Sequence, residues 1–291
     1  MDNLRGAFVM VLAMLGFAIE DAVIKLLAGA LPVSQIIGTL GIASAVLFAG
    51  ICHAQGRPLW SRNFLTPAVI LRNVAEAVGA LGFVTAIALM PLSSASAILQ
   101  TGPLLVTLGA ALFLGEPVGW RRWAAIVVGF GGVLLIIRPG TENFDWNSIY
   151  AVIGVIGLAI RDLAIRRIPA QISSMQLSML AFLSLIPAAG ILLITNGDTL
   201  VSPSVGQWAL LASIVGIGAL AYFGITYASR IGEISFVVPF RYSRMVFALV
   251  IGMAVFNENP DALTLLGAAI IIGSGLYTLW RERVVKSTPS P

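Results

Sequence analysis

Nine ionisable residues lie inside stretches of chain that are otherwise apolar: Glu20, Asp21, Lys25, Arg72, Glu76, Arg161, Asp162, Arg241 and Arg244. Charge in an apolar medium is costly, so each marks either a structural pair or a site for a charged ligand or proton. Asp21 and Lys25 are four apart, as are Arg72 and Glu76, which puts each pair on one helix face. Such a pair can neutralise itself for insertion, or its carboxylate can hold a substrate amine or a proton. Glu76 is the preferred carboxylate for that chemistry, near the middle of its apolar segment. Arg241 and Arg244 share a face with no acid in their own segment. They call for Glu20 or Glu76 across a bundle, or for a substrate carboxylate, which a guanidinium grips with two parallel hydrogen bonds. Arg161 and Asp162 are neighbours and are expected on different faces. The nine groups carry both signs, which suits a zwitterion or small metabolite better than a bulky lipophilic cation.

Aromatic residues gather late in the chain: Tyr222, Phe223, Tyr227, Phe236, Phe240 and Tyr242. They offer stacking to an aromatic ligand, or they simply pack. Gln100 precedes Pro103, and a proline within a helix frees a backbone carbonyl, so Gln100 can present its amide to a cavity. Pro103 and Pro239 are the expected kink points. Cys52 and His53 are the sole cysteine and histidine, so neither a disulfide nor a metal site is expected. Without a G-x-x-x-x-G-K-[ST] phosphate loop, ATP hydrolysis is not expected, and no cofactor is implied.

The elements that must position these residues follow from composition. Of 291 residues, 58% are hydrophobic and 10% charged, against about 25% charged in soluble domains. Mean hydropathy is +0.98. Such a chain cannot cover a globule with polar surface, and spans of about 20 residues fit into it roughly ten times. Ten apolar segments are predicted, at 4–28, 33–53, 66–89, 92–114, 119–137, 147–168, 174–194, 207–230, 234–256 and 262–280. Breakers separate them: Pro32, Gly56 with Pro58, Pro91, Gly115 with Pro117, Pro139 with Gly140, Pro169, Gly197 with Pro203, Gly232 and Pro260. The first segment carries Glu20 and Asp21 and lacks a small-residue cleavage pattern, unlike a signal peptide. Trp60, Trp120, Trp146, Trp208 and Trp280 sit at segment ends, as interfacial anchors do.

Ten spans put both termini on one side. Taken as cytoplasmic, that side holds Arg5, Arg57, Arg62, Arg121, Arg122, Arg166, Arg167, Arg230, Arg281, Arg283 and Lys286, and the other side only Arg138. This asymmetry follows the positive-inside rule and accounts for the net charge of +4 without nucleic-acid binding. The chain also repeats. "ALFLGEPVGWRRWAAIVVGFGGVLL" matches "GMAVFNENPDALTLLGAAIIIGSGLY" at a shift of 142, which places Glu116 on Glu258 and Gly131 on Gly273. Five spans per half is an odd number, so the halves enter the membrane from opposite sides. The expected organisation is all-α, with ten transmembrane helices as two inverted five-helix repeats, 1–140 and 141–291, the second ending in a short cytoplasmic tail.

The endings Leu114-Gly115-Glu116 and Phe256-Asn257-Glu258, each before a glycine-rich helix, resemble the drug/metabolite transporter superfamily, specifically its EamA branch, over nearly the whole chain. The segment "VVPFRYSRMVFALVIGMAVFNE" is similar to the ninth helix of bacterial members that move amino acids, aromatic amino-acid exporters first among them. Asn257 and Asn259 depart from the commoner second motif. The resemblance implies a bacterial inner-membrane protein with a central cavity between the repeats and peripheral fifth and tenth helices. It implies alternating access, not enzymatic activity. On these residues the expected substrate site comprises Glu20, Asp21, Arg72, Glu76, Gln100, Tyr222, Tyr227, Arg241, Tyr242 and Arg244, with Pro103 and Pro239 as gating kinks. Expected partners are a small amino acid or related metabolite, the bilayer, and protons as a candidate coupling ion; a monomer suffices. Alternatives are the same fold moving S-adenosylmethionine, nucleotide-like metabolites or drugs, a membrane-embedded enzyme, or a channel. The loops are too short for the polar constellation an enzyme needs.

Overall fold

The computed structural model describes residues 2–116, 118–142, 144–169, 171–231 and 234–287. Two expected breakers, Pro117 and Gly232, lie outside the described residues, and so do the side chains of Arg230, Arg283 and Lys286. The helices are α1 (Asp2–Ala28), α2 (Val33–Ala54), α3 (Pro67–Leu89), α4 (Leu92–Leu99), α5 (Gly102–Phe113), α6 (Trp120–Ile137), α7 (Ser148–Ile165), α8 (Ser174–Asn196), α9 (Val205–Ile231), α10 (Ile234–Val237), α11 (Ser243–Phe256) and α12 (Ala262–Ser287). Short 3-10 turns cover Arg62–Leu65 and Val238–Tyr242. Among the described residues, ten helical stretches are long and apolar enough to cross a membrane, and there are no strands.

All ten expected segments are helical, and two of them are interrupted. The fourth breaks at Gln100–Thr101 between α4 and α5, and the ninth passes through the 3-10 turn before α11. Ends follow local chemistry. Ser173 and Gln176 form a reciprocal capping box at the start of α8, and Gly197 ends that helix in the left-handed region at φ +67°. Asn257, ending α11 at φ +53°, takes the same left-handed cap.

Contacts group the chain into two compact units, and each draws helices from both halves of the sequence. One contains Val23–Leu89 and Ile149–Gly216. Here α3 crosses α7 at glycines: a Cβ on Gly157 would meet the Gly79 nitrogen at 2.6 Å, and one on Gly82 the Gly154 nitrogen at 2.7 Å. Only hydrogen at these four positions allows the backbones to touch. In the same unit, Phe48 of α2 stacks on Phe182 of α8 at 5.6 Å. Ser34 donates to Asp198 at 2.6 Å, and Gln35 exchanges two hydrogen bonds with the Val201 backbone, tying α2 to the loop after α8.

The other unit contains Met1–Ala22, Met90–Ser148 and Ile217–Pro291. Its α6 and α12 run antiparallel in close contact, with a Cβ on Gly132 meeting the Gly267 carbonyl at 2.7 Å. Met10, Ala13 and Met14 of α1 pack with Ala228 of α9 and Val237, while Ala97, Met245 and Ala268 join α4, α11 and α12. Arg138 ends α6 at φ +50° and pairs with Asp261, which also accepts from the Thr264 N–H at 2.9 Å.

Two outcomes follow for stability. Gly157→Val should lower stability by about 1–3 kcal/mol or prevent folding. Gly50→Ala, with open space around it, should leave the melting temperature unchanged; thermal unfolding in detergent reads both. The Arg138 guanidinium, then the Thr264 N–H, hold the Asp261 carboxyl well below its ordinary range. A carboxyl lowered in the folded state adds stability above the ordinary value near 4 and loses it as pH falls further. The stability difference between Asp261→Asn and the native chain should therefore be present at pH 7 and shrink below about pH 4.

Candidate functional site

In α1, Phe17 and Asp21 are one turn apart, and Arg244 of α11 reaches both. Its Nη2 donates to Oδ1 at 2.8 Å and Oδ2 at 2.7 Å of Asp21, and its Nε to Oδ2 at 3.0 Å. The guanidinium carbon lies 5.1 Å from the centre of the Phe17 ring. Asp21 is 3% exposed, so this is a buried, forked pair between residues 223 apart in sequence. Arg244 thus has its acid on α1, from the residue beside Glu20. The side chain of Lys25 donates to the Ile87 carbonyl at 3.1 Å.

Glu20 lies half-buried against α9, where Gly218 makes room for it. A Cβ at Gly218 would stand 2.8 Å from Glu20 Oε1. Glu20, the neighbour of Asp21 in sequence, adds a second carboxyl next to the residue that Arg244 grips. The two interrupted helices meet next to them: Gln100 Nε2 donates to the Arg241 carbonyl at 3.1 Å, joining the α4–α5 break to the 3-10 turn. Thr101 closes its own break by donating to the Ile98 carbonyl at 2.6 Å. The breaks correspond in the two halves, since Gln100–Thr101 shifted by 142 falls on Tyr242–Ser243. Pro103 and Pro239 do not align, yet each sits at the start of the element after or within its break. Interrupted spans at corresponding positions of two repeats are where membrane transporters build binding sites.

The other expected residues fall into different roles. Tyr242 is buried with its hydroxyl end against Gly275, and that hydroxyl has no hydrogen-bond partner among the described residues. Tyr227 is exposed and stacks on exposed Phe223 at 6.1 Å, while Tyr222 is half-buried. In the other unit, Glu76 accepts from Arg161 Nη1 at 3.3 Å and pairs with Arg72 Nη2 at 3.3 Å. Arg72 also donates to the Leu177 carbonyl at 2.9 Å and to Asn73 at 3.0 Å. Arg161 bends back to Asp162 at 2.8 Å, so the neighbours expected on different faces are paired. The glycine crossing of α3 and α7 makes this possible, because Glu76 and Arg161 stand one turn from Gly79 and Gly157. Glu76, expected as the proton or amine site, is a carboxylate gripped by two arginines.

Glu258 carries a role its spacing did not announce. It accepts from the N–H groups of Leu92 at 2.6 Å and Ser93 at 3.0 Å and from the Ser93 hydroxyl at 2.7 Å, capping the start of α4. The signal was the repeat itself: Glu116 stands 142 positions before Glu258, and α10 begins at Ile234, 142 after Leu92. Among the described residues, no three His, Cys, Asp or Glu side chains gather to hold a metal.

Comparison with known proteins accords with this architecture. A solved structure described only as "Crystal structure of protein" superposes over 97% of this chain and 98% of its own with a TM-score of 0.60 at 17% identity, a likeness of fold. The S-adenosylmethionine uptake transporter of Rickettsia felis is 30% identical over 81% of this chain and 78% of its own. The pseudopaline exporter CntI of Pseudomonas aeruginosa is 29% identical over 92% of this chain and 93% of its own. The riboflavin transporter of Vibrio cholerae is 30% identical over 67% and 65%. The EamA-like transporter family matches twice, over residues 4–138 and 145–280. The chain therefore belongs to the EamA-like transporter family, as a multi-pass bacterial inner-membrane transporter of small molecules, not an enzyme, with two repeats of the family fold.

Proposed function

We propose that this transporter exports small zwitterionic metabolites, amino acids including aromatic ones among them, by alternating access. The observation that carries this reading is the forked Asp21–Arg244 pair beside two corresponding helix breaks. A zwitterion brings a carboxylate for Arg244 and an ammonium for Asp21. It can replace each partner of the internal pair without leaving a buried charge uncompensated. Glu20 adds a second carboxyl, able to take a proton or to share the ammonium, and it replaces Glu76 as the residue for coupling to protons. In this reading both termini lie on the cytoplasmic side, the repeats span 1–140 and 141–291 as inverted copies, and a monomer suffices.

A second reading shares the site and differs in cargo. The relatives named for S-adenosylmethionine, riboflavin and pseudopaline point to larger metabolites. S-adenosylmethionine itself ends in an α-amino acid, so the same charge pair suits its head while exposed Phe223 and Tyr227 offer ring faces.

Counterflow in proteoliposomes separates the readings. Stimulation of labelled uptake by internal phenylalanine or neutral amino acids supports amino-acid export. Stimulation only by S-adenosylmethionine or riboflavin keeps the fold and the site but replaces the cargo. Arg244→Lys retains the charge and loses the fork, so it should raise KM about tenfold or more, in line with the loss of a charge-assisted hydrogen bond of about 1.5–3 kcal/mol. Glu76→Gln removes the acid that Arg72 and Arg161 share and should cost about 3–5 kcal/mol of stability with KM unchanged in the protein that folds. Unchanged KM in Arg244→Lys would overturn the assignment of the site.

A further inference from the structure

A hollow of about 360 Å³ opens between α6 and α12, lined by Trp120, Arg121, Ala124, Ala125, Val128, Ser274 and Tyr277, none of them a member of the charge pair. Its walls are almost wholly apolar apart from one end. There Arg121 is exposed and lies over the Trp120 ring at 5.5 Å. From Trp120 to Val128 the groove follows eight residues of helix, about 12 Å at 1.5 Å per residue. Small Ala124 and Ala125 leave the floor open, and exposed Val128 forms the deep end.

The chemistry at the mouth is that of a phosphate ligand. Helix α6 starts at Trp120 behind Gly119, which supplies no side-chain cap. The first-turn N–H groups and the positive end of the helix dipole favour an anion there. Arg122 follows Arg121, and antiparallel α12 runs past this mouth at Tyr277, with Arg281 one turn further on. Tyr277 and Trp280, with rings 5.8 Å apart, mark the depth at which a bilayer passes from headgroups to hydrocarbon. The end carrying these basic residues is the cytoplasmic one on the arginine and lysine distribution, and the cytoplasmic leaflet is where anionic lipids concentrate.

We infer that the α6–α12 groove binds an anionic phospholipid, with Arg121 and the start of α6 holding the phosphate and the apolar hollow taking an acyl chain. A basic mouth on an apolar slot selects for both parts at once. Inorganic phosphate lacks the chain, and a zwitterionic lipid gains less from the arginines. The inference is independent of the cargo, because the groove lies on other residues than the charge pair.

Native mass spectrometry of the full chain, released from detergent in the presence of equal phosphatidylglycerol and phosphatidylcholine, tests it. Phosphatidylglycerol should be retained preferentially, and Arg121→Gln should cut that preference about fivefold, the effect of one basic residue near an anionic surface. Arg121→Lys should restore most of it, which a merely structural role would not do. Ala124→Trp should fill the slot and abolish retention of lipid, while counterflow of the cargo proceeds. Equal retention of both lipids, or a preference unmoved by Arg121→Gln and Ala124→Trp, would overturn the proposal. So would a dimer cross-linked through α6 that retains no lipid, because a second copy would then occupy the groove.

Discussion

In hydrocarbon there is no water to satisfy a charge or a freed backbone group, so every such group in this chain must find its partner in the protein. That constraint decides where the helices go. Asp21 and Arg244 compensate each other from helices at opposite ends of the sequence, with the geometry of a forked pair rather than a point contact. Arg72, Glu76, Arg161 and Asp162 form a chain of alternating sign in the other unit. The amide groups opened where the fourth span begins are taken by Glu258, and the carbonyl of Arg241 by Gln100. The ties between helices (Asp21–Arg244, Glu76–Arg161, Glu258 to the start of α4, and Gln100–Arg241) also fix the packing of the elements they join.

Packing in turn depends on side chains being absent at the right places. Hydrophobic burial supplies little preference between helices when lipid is as apolar as leucine, and close backbone approach takes over. Gly79, Gly82, Gly154 and Gly157 bring α3 and α7 together, and Gly132 and Gly267 do the same for α6 and α12. The Glu76–Arg161 contact at 3.3 Å exists because the crossing one turn away lets the backbones touch. Gly218 works at smaller scale, leaving a recess in α9 that holds the Glu20 carboxyl.

The elements were legible in the sequence because hydropathy and breakers are local. Pro32, Gly197 and Asn257 end or begin helices through their own backbone preferences, and the ten segments needed no partner to be recognised. Pairing was not legible, because spacing of four is ambiguous. For Arg72 and Glu76 it marked a true pair. Asp21, four residues from Lys25, also takes Arg244 as a partner 223 residues away, which no spacing announces. Adjacent residues were also read too rigidly: Arg161 has a side chain long enough to fold back onto Asp162 at 2.8 Å. The helix breaks were half visible. Pro103 and Pro239 signalled them, but their failure to align under the repeat hid the correspondence of Gln100–Thr101 with Tyr242–Ser243, which backbone conformation reveals.

The contrast between the two charge clusters argues for different work. Glu76 has two guanidinium groups within 3.3 Å, so exchanging its partners would take the acid they share from at least one arginine, and a cluster of this kind favours staying closed. Asp21 and Arg244 are one acid and one base, a closed pair that a ligand carrying one charge of each sign can open without changing the net charge of the site. Glu20 makes that exchange asymmetric. It adds a carboxyl without adding a cation, so a proton or a ligand ammonium is favoured over a second carboxylate. On the function proposed above, a zwitterion binds here in exchange for the internal contact. The site can close again when the ligand leaves, because the original pair is still there to re-form. Alternating access needs both properties together: a resting state with no buried charge unpaired, and a loaded state with none either.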